Sequence, residues 1–320
     1  MSAAEPIIRL AGVTKRFGRT VAVDDVTIDV PRGRCLGWLG PNGSGKTTLI
    51  RCMLGLARVT AGTIEVRGRE VPRDVREALA GVGAIVEEPR FYPYLSGRRN
   101  LEVSAGFVGR EAFGRIDAAI QRVDLAGAAG TAVKKYSLGM RQRLGVARSL
   151  LTDPELLILD EPSNGLDPAG MAEFRQMIRS FVEEDGRTVF ISSHLLDEVE
   201  KIADDIAIVQ AGSLVVHGTV AELVAGGATT VRVRVDEPDR ARAVLGALRF
   251  VTGVQASEPR TLDVSVERVD DESSMALTRA LVESGIGVAE VVQRRESLEK
   301  RFLEITRAEE PERPDAEEPS

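Results

Sequence analysis

The spacing of hydrophobic and polar positions changes several times along the chain, and each spacing predicts a different element. Residues 26–30 and 63–66 alternate between apolar and polar side chains, as half-buried strands do. Residues 156–159 and 188–191 are continuous apolar runs, which are typical of strands buried on both faces of a parallel sheet. Between these two runs, apolar residues recur at helical spacing at Met171, Phe174, Ile178, Phe181 and Val182. The order strand, helix, strand predicts an α/β fold with helices on the faces of the sheet.

The apolar pattern changes near residue 226, which predicts a second, smaller domain. Its strands are predicted at residues 230–235, 251–255, 262–267 and 287–293, and its helices at residues 239–250 and 273–284. The order β-α-β-β-α-β is that of a small ferredoxin-like α+β unit. A last helix is predicted to carry Leu298, Phe302 and Leu303 on one face.

These changes divide the 320-residue chain into three parts. We expect a first domain at residues 1–225, with a mostly helical insert at about 95–152. An accessory domain at 228–306 and an acidic tail at 307–320 follow. The last thirteen residues hold six acidic side chains, one arginine and three prolines, a composition that predicts disorder.

Composition and charge indicate which partners and which cellular compartment to expect for this chain. The last thirteen residues account for five of the seven net negative charges, so the rest of the chain is nearly balanced and no nucleic-acid partner is expected. With 43% hydrophobic and 28% charged residues, and no apolar run near the ~20 residues that span a bilayer, a soluble globular protein is expected. Cys35 and Cys52 are isolated and no secretory pattern begins the chain, which indicates a reducing cytoplasmic compartment.

Residues 40–47 carry the most specific chemistry. They fit the phosphate-loop pattern G-x-x-x-x-G-K-[ST] at every fixed position, between an apolar run at 34–39 and a helix-like run at 48–54. Glycines allow successive N–H groups to point at phosphate oxygens, where the helix N-terminus adds partial positive charge. Lys46 is predicted to reach the β- and γ-phosphates, and Thr47 to bind Mg²⁺. The residues predicted to bind the nucleotide here are Gly40, Pro41, Asn42, Gly43, Ser44, Gly45, Lys46, Thr47 and Thr48.

Three polar residues follow the two continuous apolar runs. Asp160 and Glu161 end the first run and His194 follows the second; in a parallel sheet, both sites lie at the edge where ligands bind. Asp160 is predicted to hold Mg²⁺, directly or through water. Glu161 is the predicted general base for an attacking water, and His194 is predicted to contact the γ-phosphate and help place that water.

Five segments together resemble the ATP-binding cassette (ABC) ATPases. They are the phosphate loop, Y-S-L-G-M-R-Q-R at 136–143, L-L-I-L-D-E-P at 156–162, S-N-G-L-D at 163–167 and S-S-H at 192–194. The second resembles the family's signature, and the fourth resembles the loop after its catalytic glutamate. The resemblance covers about residues 6–223, with the motifs in the family's order. It implies a P-loop nucleoside-triphosphatase fold with a helical insert, and ATP as the nucleotide.

The resemblance also implies that two chains complete each active site. In this family two cassettes dimerise head to tail around two ATP molecules. Ser137 and Gly139 would then donate to the γ-phosphate bound by the partner, and Asp167 would couple the two sites. Leu138 and Met140 depart from a glycine and a glutamine of the signature.

Two further positions depart from the family's pattern. Phe17 stands where a tyrosine often stacks on adenine, and it keeps the ring face. Glu87 takes the place of a glutamine that contacts Mg²⁺ and water, with Glu88 as the alternative at that position. A carboxylate there adds negative charge beside the phosphates.

The signature variant, the bends at 87–89 and 92–95 and the C-terminal extension resemble one subgroup: the ATPase subunits of multidrug and antibiotic exporters of the bacitracin- and daunorubicin-export type. This implies a peripheral subunit at the cytoplasmic face of the cell membrane, bound to a separate transmembrane permease. The second cassette would be an identical or a homologous chain. A soluble cassette protein acting on ribosomes or DNA, and a non-hydrolysing ATP sensor, are the alternatives.

Overall fold

The computed structural model describes residues 5–225, 230–266 and 270–294. The chain divides after Val220 into two compact units, five residues before the predicted limit of the first domain. The predicted helix with Leu298, Phe302 and Leu303 and the predicted tail at 307–320 lie outside the described residues.

The first unit combines strands and helices along its whole length. Its strands are β1 (Ile8–Phe17), β2 (Thr20–Val30), β3 (Cys35–Leu39), β4 (Ala61–Val66), β5 (Arg69–Val71), β6 (Val82–Ile85), β7 (Leu156–Asp160), β8 (Thr188–Ser193), β9 (Asp205–Gln210) and β10 (Ser213–Thr219). Its α-helices are α1 (Lys46–Met53), α2 (Val75–Leu79), α3 (Gly97–Val108), α4 (Arg110–Arg122), α5 (Leu138–Leu150), α6 (Pro168–Glu183) and α7 (Leu196–Glu200), and α8 (Val220–Ala225) begins at the unit boundary. Helices α3, α4 and α5 occupy the predicted helical insert.

A six-stranded sheet positions the site. Its order is β10-β9-β3-β8-β7-β6, and every pair of neighbours except β10 and β9 is parallel. All residues of β3, β7 and β8 are buried, which explains why their sequences are apolar without alternation. Because these three strands are adjacent and parallel, the residues that follow them meet at one edge of the sheet. The α/β class predicted from the sequence is confirmed.

A second, antiparallel sheet has the order β2-β1-β4-β5. Its apolar faces join the central sheet in one core, which includes Trp38 of β3 and Phe190 of β8. Their rings lie 5.8 Å apart, centroid to centroid. This core fixes β3 and β8, and therefore the loops that extend from their carboxyl ends.

The second unit has its own sheet and core. Its elements are β11 (Thr230–Val235), α9 (Pro238–Gly246), β12 (Val251–Glu258), β13 (Thr261–Val266), α10 (Asp271–Glu283) and β14 (Val288–Arg294), in the predicted order. The sheet is antiparallel, in the order β12-β13-β11-β14. The predicted limit of the first helix, residue 250, is wrong, because α9 ends at Gly246. Leu248 and Phe250 continue the apolar spacing, but they pack on the core from the turn that follows the helix.

Candidate functional site

The phosphate loop connects β3 to α1 and encloses the Lys46 side chain. The Lys46 ammonium donates to the carbonyl oxygens of Gly40, at 2.7 Å, and Pro41, at 3.0 Å, and the residue is 5% exposed. Gly45 has a φ of +95°, and a Cβ there would lie 2.0 Å from the carbonyl oxygen of Ala22, so only glycine fits. The first turn of α1 leaves N–H groups without partners inside the helix, and such groups attract anions.

One polar atom of this loop fits a phosphate ligand. Ser44 is 4% exposed, and its hydroxyl contacts no hydrogen-bonding partner within the part of the chain that the structure describes. A buried hydroxyl without a partner costs stability, and a phosphate oxygen would supply that partner.

The Glu161 carboxylate lies between the Lys46 ammonium and the His194 imidazole. Its Oε1 is 3.1 Å from Lys46 Nζ, and its Oε2 is 2.7 Å from His194 Nδ1. The structure therefore brings three of the predicted residues into one continuous set of contacts, although they follow three different strands. A carboxylate that is oriented at both oxygens is suited to take a proton from a water molecule at a defined place.

Asp160 is buried beside Glu161 at the end of β7. It is 3% exposed, and its Oδ1 accepts a 2.6 Å hydrogen bond from the hydroxyl of Ser192. The same hydroxyl accepts a 2.9 Å hydrogen bond from the backbone N–H of Glu161. Sequence reasoning missed Ser192. The sequence feature that points to Ser192 is its position in the S-S-H segment at the end of β8. In the parallel register of β7 and β8, this position lies opposite Asp160.

Thr47 and Asp160 are the residues that could hold Mg²⁺ in this loop arrangement. Among the described residues, no group of three or more His, Cys, Asp and Glu side chains is arranged to hold a metal ion. Mg²⁺ is commonly held by one or two protein oxygens together with phosphates and water, so a hydroxyl and a buried carboxylate fit that mode.

The Glu87 carboxylate contacts a cation of helix α1. It forms an ion pair with the Arg51 guanidinium, which lies four residues, or one helical turn, beyond Thr47. Glu87 has a φ of +61°, in the left-handed region that costs energy for residues other than glycine. Glu88 is also exposed. The predicted contact of Glu87 with Mg²⁺ stays a prediction.

Phe17 ends β1 and is 54% exposed, and the Lys15 ammonium lies 4.6 Å from the centroid of its ring. An exposed ring is available for stacking on a nucleotide base. The predicted role of Phe17 therefore has a suitable geometry, but it stays a prediction.

The residues predicted to act in trans line a separate pocket of about 490 Å³, which includes Ser137, Gly139 and Asp167. The Ser137 hydroxyl accepts from the N–H of Met140 at 3.2 Å and begins α5. The Asp167 carboxylate accepts from the N–H of Gly170 at 3.0 Å and begins α6. Both side chains thus shape helix N-termini in the same pocket, where N–H groups attract anions.

The unusual Leu138 of the signature packs on the neighbouring loop. A Cβ on Gly165 would lie 2.6 Å from Leu138 Cδ2, and Gly165 has a φ of +74°. The leucine side chain therefore packs against a glycine of the S-N-G-L-D segment. Through this contact the signature segment and the S-N-G-L-D segment, which both line the pocket, touch each other within one chain.

Two cysteines flank the loop and are buried at 0% and 1% exposure, Cys35 in β3 and Cys52 in α1. Burial raises the pKa of the Cys52 thiol, and it raises the pKa of the Cys35 thiol together with the Asp204 carboxylate nearby. A thiol held in its protonated form is a packing group and not a nucleophile.

Among the helices of the described residues, none combines the length and the apolar character needed to cross a lipid bilayer.

Comparison with known proteins identifies the family. The family model described as ABC transporter matches residues 23–164. The chain is 39% identical over 305 residues to YdbJ, an uncharacterised ABC transporter ATP-binding protein of Bacillus subtilis (strain 168), covering 95% of this chain and 97% of the relative. It is 36% identical over 299 residues to the bacitracin transport ATP-binding protein BcrA of Bacillus licheniformis, with 93% and 97% covered. It is 39% identical over 309 residues to the daunorubicin resistance ATP-binding protein DrrA3 of Streptomyces coeruleorubidus, with 95% and 96% covered.

Solved structures support the fold. A dimeric post-hydrolysis state of the ATP-binding cassette MJ0796 bound to ADP and Pi matches with a TM-score of 0.60 at 23% identity, over 67% of this chain and 98% of that chain. The cbiO1 protein of Clostridium perfringens, part of the ABC transporter complex cbiONQ, matches with a TM-score of 0.64 at 23% identity, over 76% and 96%. The alternative of a ribosome- or DNA-acting protein is not favoured by the transport names of the relatives. The predicted resemblance is confirmed: the chain belongs to the ABC transporter family and is an ATP-binding, ATP-hydrolysing subunit.

Proposed function

We propose that this chain hydrolyses ATP, with Mg²⁺, to drive the export of antibiotics, drugs or similar amphiphiles through a separate membrane permease. The observation that carries the proposal is the length of the similarity. The relatives named for bacitracin transport and daunorubicin resistance match at least 93% of this chain, so the similarity extends past the cassette into the second unit. The chain would bind the permease at the cytoplasmic face of the membrane.

The catalytic part of the proposal rests on the contacts of Glu161. We propose that Glu161 takes the proton of a water molecule that attacks the γ-phosphorus. His194 would hold the Glu161 carboxylate through its Oε2. Lys46 neutralises oxygens of the β- and γ-phosphates, where negative charge spreads in the transition state. Because Lys46 also contacts Glu161 Oε1 at 3.1 Å, phosphate oxygens compete with that carboxylate for the ammonium. ATP binding therefore frees the oxygen that accepts the proton.

Thr47 and Asp160 would hold the Mg²⁺, which would supply positive charge beside the phosphate oxygens. Asp160 is 3% exposed, so its carboxylate is largely shielded from bulk water. Ser44 would donate its hydroxyl to a phosphate oxygen, and Phe17 would stack on the adenine.

The pocket with Ser137, Gly139 and Asp167 would complete the site of a second cassette. Its N–H groups and hydroxyl are donors, and donors aimed at γ-phosphate oxygens stabilise the developing charge. The bound ATP would therefore supply much of the interface, and hydrolysis would weaken it. The partner cassette is either a second copy of this chain or a homologue.

The experiment that tests the proposal separates membrane attachment from catalysis. The polytopic membrane protein that co-purifies with the tagged chain is identified, and its gene is deleted. The chain should then move from the membrane fraction to the soluble fraction, and the cells should lose resistance to the exported compound. The Glu161→Gln chain in otherwise intact cells should stay in the membrane fraction and also lose resistance. Membrane attachment that is unchanged by the deletion would contradict the proposal.

A further inference from the structure

We propose that Ser192 is a positioning residue for ATP hydrolysis, whose hydroxyl holds the Asp160 carboxylate and the Glu161 backbone in the geometry that Mg²⁺ binding and proton transfer require. The inference rests on the proposed function of those two residues. Ser192 itself does not touch the reacting atoms in this arrangement. It acts through its two neighbours.

The position of Ser192 follows from the sheet. Ser192 lies in β8, which is flanked by β7 and β3, and it pairs with Asp160 on one side and Trp38 on the other. The residue is 0% exposed. A hydroxyl enclosed in this way is shielded from bulk water, so its hydrogen bonds depend on the protein.

The hydroxyl uses both of its hydrogen-bonding functions on the site. It donates its proton to Asp160 Oδ1 at 2.6 Å and accepts the N–H of Glu161 at 2.9 Å. The first bond restricts the rotation of the buried carboxylate and occupies Oδ1, so Oδ2 is the oxygen that Ser192 leaves for a ligand. The second bond holds the peptide from which the Glu161 side chain extends.

The second bond matters because the Glu161 backbone is strained. Its φ is +49°, in the left-handed region that residues with a Cβ adopt only when neighbouring contacts hold them there. This turn directs the Glu161 side chain to Lys46 and His194. Loss of the Ser192 hydroxyl would leave the Glu161 N–H without this acceptor and would let the turn relax.

Ser193 provides a matched control within the same strand. It is also buried, at 2% exposure, but its hydroxyl accepts from the N–H of Leu195 at 3.0 Å. Removal of the Ser193 hydroxyl therefore tests the loss of a buried hydroxyl at this place, without the loss of a bond to Asp160 or Glu161.

The experiment compares four variants of the full chain: Ser192→Ala, Ser192→Val, Ser192→Thr and Ser193→Ala. For each, ATP binding is titrated at fixed Mg²⁺ and in EDTA, the Mg²⁺ concentration for half-maximal hydrolysis is measured, and kcat and KM are separated. Ser192→Ala and Ser192→Val should raise the half-saturating Mg²⁺ concentration and lower kcat by roughly 10- to 100-fold, the range seen when partners of metal ligands are removed. ATP affinity in EDTA should stay within about twofold, because the phosphate-loop contacts remain.

Ser192→Thr should recover most of both losses, since threonine has the shape of valine and keeps the hydroxyl. Ser193→Ala should keep the wild-type Mg²⁺ dependence. If Ser192→Ala lowers the melting temperature but leaves the Mg²⁺ dependence and kcat unchanged, or if Ser192→Thr and Ser192→Val behave alike, the proposal is overturned. If the wild-type chain itself shows no Mg²⁺-dependent ATP binding, the proposed function fails instead.

Discussion

Lys46 Nζ and Glu161 Oε1 lie 3.1 Å apart, and their side chains are 5% and 17% exposed. The phosphate-binding cation and the predicted base thus contact each other directly in a largely buried place, where charge interactions are little screened by salt. Any ligand that binds the Lys46 ammonium changes the charge beside Glu161. Nucleotide binding and release of the base are therefore linked through one contact.

Glu161→Gln is expected to lower ATP turnover by ~10²–10⁴-fold, because an amide cannot take the proton from water. ATP binding should be preserved, since the phosphate loop is unchanged. Turnover and equilibrium nucleotide binding measured on the same preparation check this. Glu155→Gln is the control: Glu155 lies just before the other end of β7, where it pairs with Arg32 and Arg67, and its loss should leave turnover unchanged. Near-normal turnover in Glu161→Gln would remove Glu161 as the base.

His194→Ala is expected to lower kcat by at least tenfold with little change in ATP affinity. Its Nδ1 contact orients the Glu161 carboxylate, and orientation of a base matters to the chemical step more than to binding. His217 is the chain's other histidine, and it is exposed in β10, so His217→Ala is the matched control. An equal effect of both variants on kcat would contradict a role of His194 in the site.

The parallel core and its edge could be predicted from the sequence because they depend on patterns that extend over several consecutive residues. The apolar runs of β7 and β8 predict buried parallel strands, and parallel strands bring the following residues to one edge. The phosphate loop is a contiguous motif, so its position needs no knowledge of the sheet. These two facts together predict that Asp160, Glu161 and His194 lie near Lys46.

The contacts of Ser192 and Arg51 could not be predicted in the same way. Each depends on a single side chain whose partner lies 32 or 36 residues away along the chain. No periodic pattern marks such a pair, because it is set by strand register or by the path of a loop. The end of α9 at Gly246 was missed for a related reason, since the apolar spacing continues into residues that pack from a turn.

Arg51→Ala is expected to weaken ATP binding in EDTA by about two- to fivefold, because it leaves the Glu87 carboxylate uncompensated near the nucleotide. The pair is about half exposed, and exposed pairs contribute about 0.2–1 kcal/mol, which sets this small range. Glu87→Gln in the Arg51→Ala background should restore affinity, and a double-mutant cycle measures the coupling. Glu88→Gln in that background is the control. Rescue by Glu88→Gln instead would assign the position to Glu88.

The two thiols are expected to be unreactive in the folded protein. Burial raises the pKa of both Cys35 and Cys52, so at pH 8 both stay protonated, and the thiolate is the form that attacks disulfide reagents. Titration with a chromogenic disulfide at pH 8 should show little reaction in buffer and two reacting thiols after unfolding in guanidinium chloride. Fast reaction of the native chain would show that one of these sites opens readily to solvent.

Mixing two inactive variants tests whether Ser137 acts in trans. Lys46→Ala removes the phosphate-loop cation of one chain, and Ser137→Ala removes a donor from the signature pocket of the other. In a head-to-tail mixed dimer, both defects fall in one site, and the second site combines an intact phosphate loop with an intact signature. Random mixing in a symmetric dimer should therefore restore about a quarter of the wild-type sites.

The same mixture should stay inactive if each chain completes its own site, because every site would then carry one defect. The doubly substituted chain, Lys46→Ala with Ser137→Ala, provides the control: mixed with wild-type chain, it leaves one defect in each site of a head-to-tail dimer, so it should reduce the activity of the wild-type chain. The two mixtures have opposite expected outcomes for the same pair of substitutions. Activity that is recovered in the first mixture and reduced in the second can arise only when Ser137 serves the ATP bound by the partner.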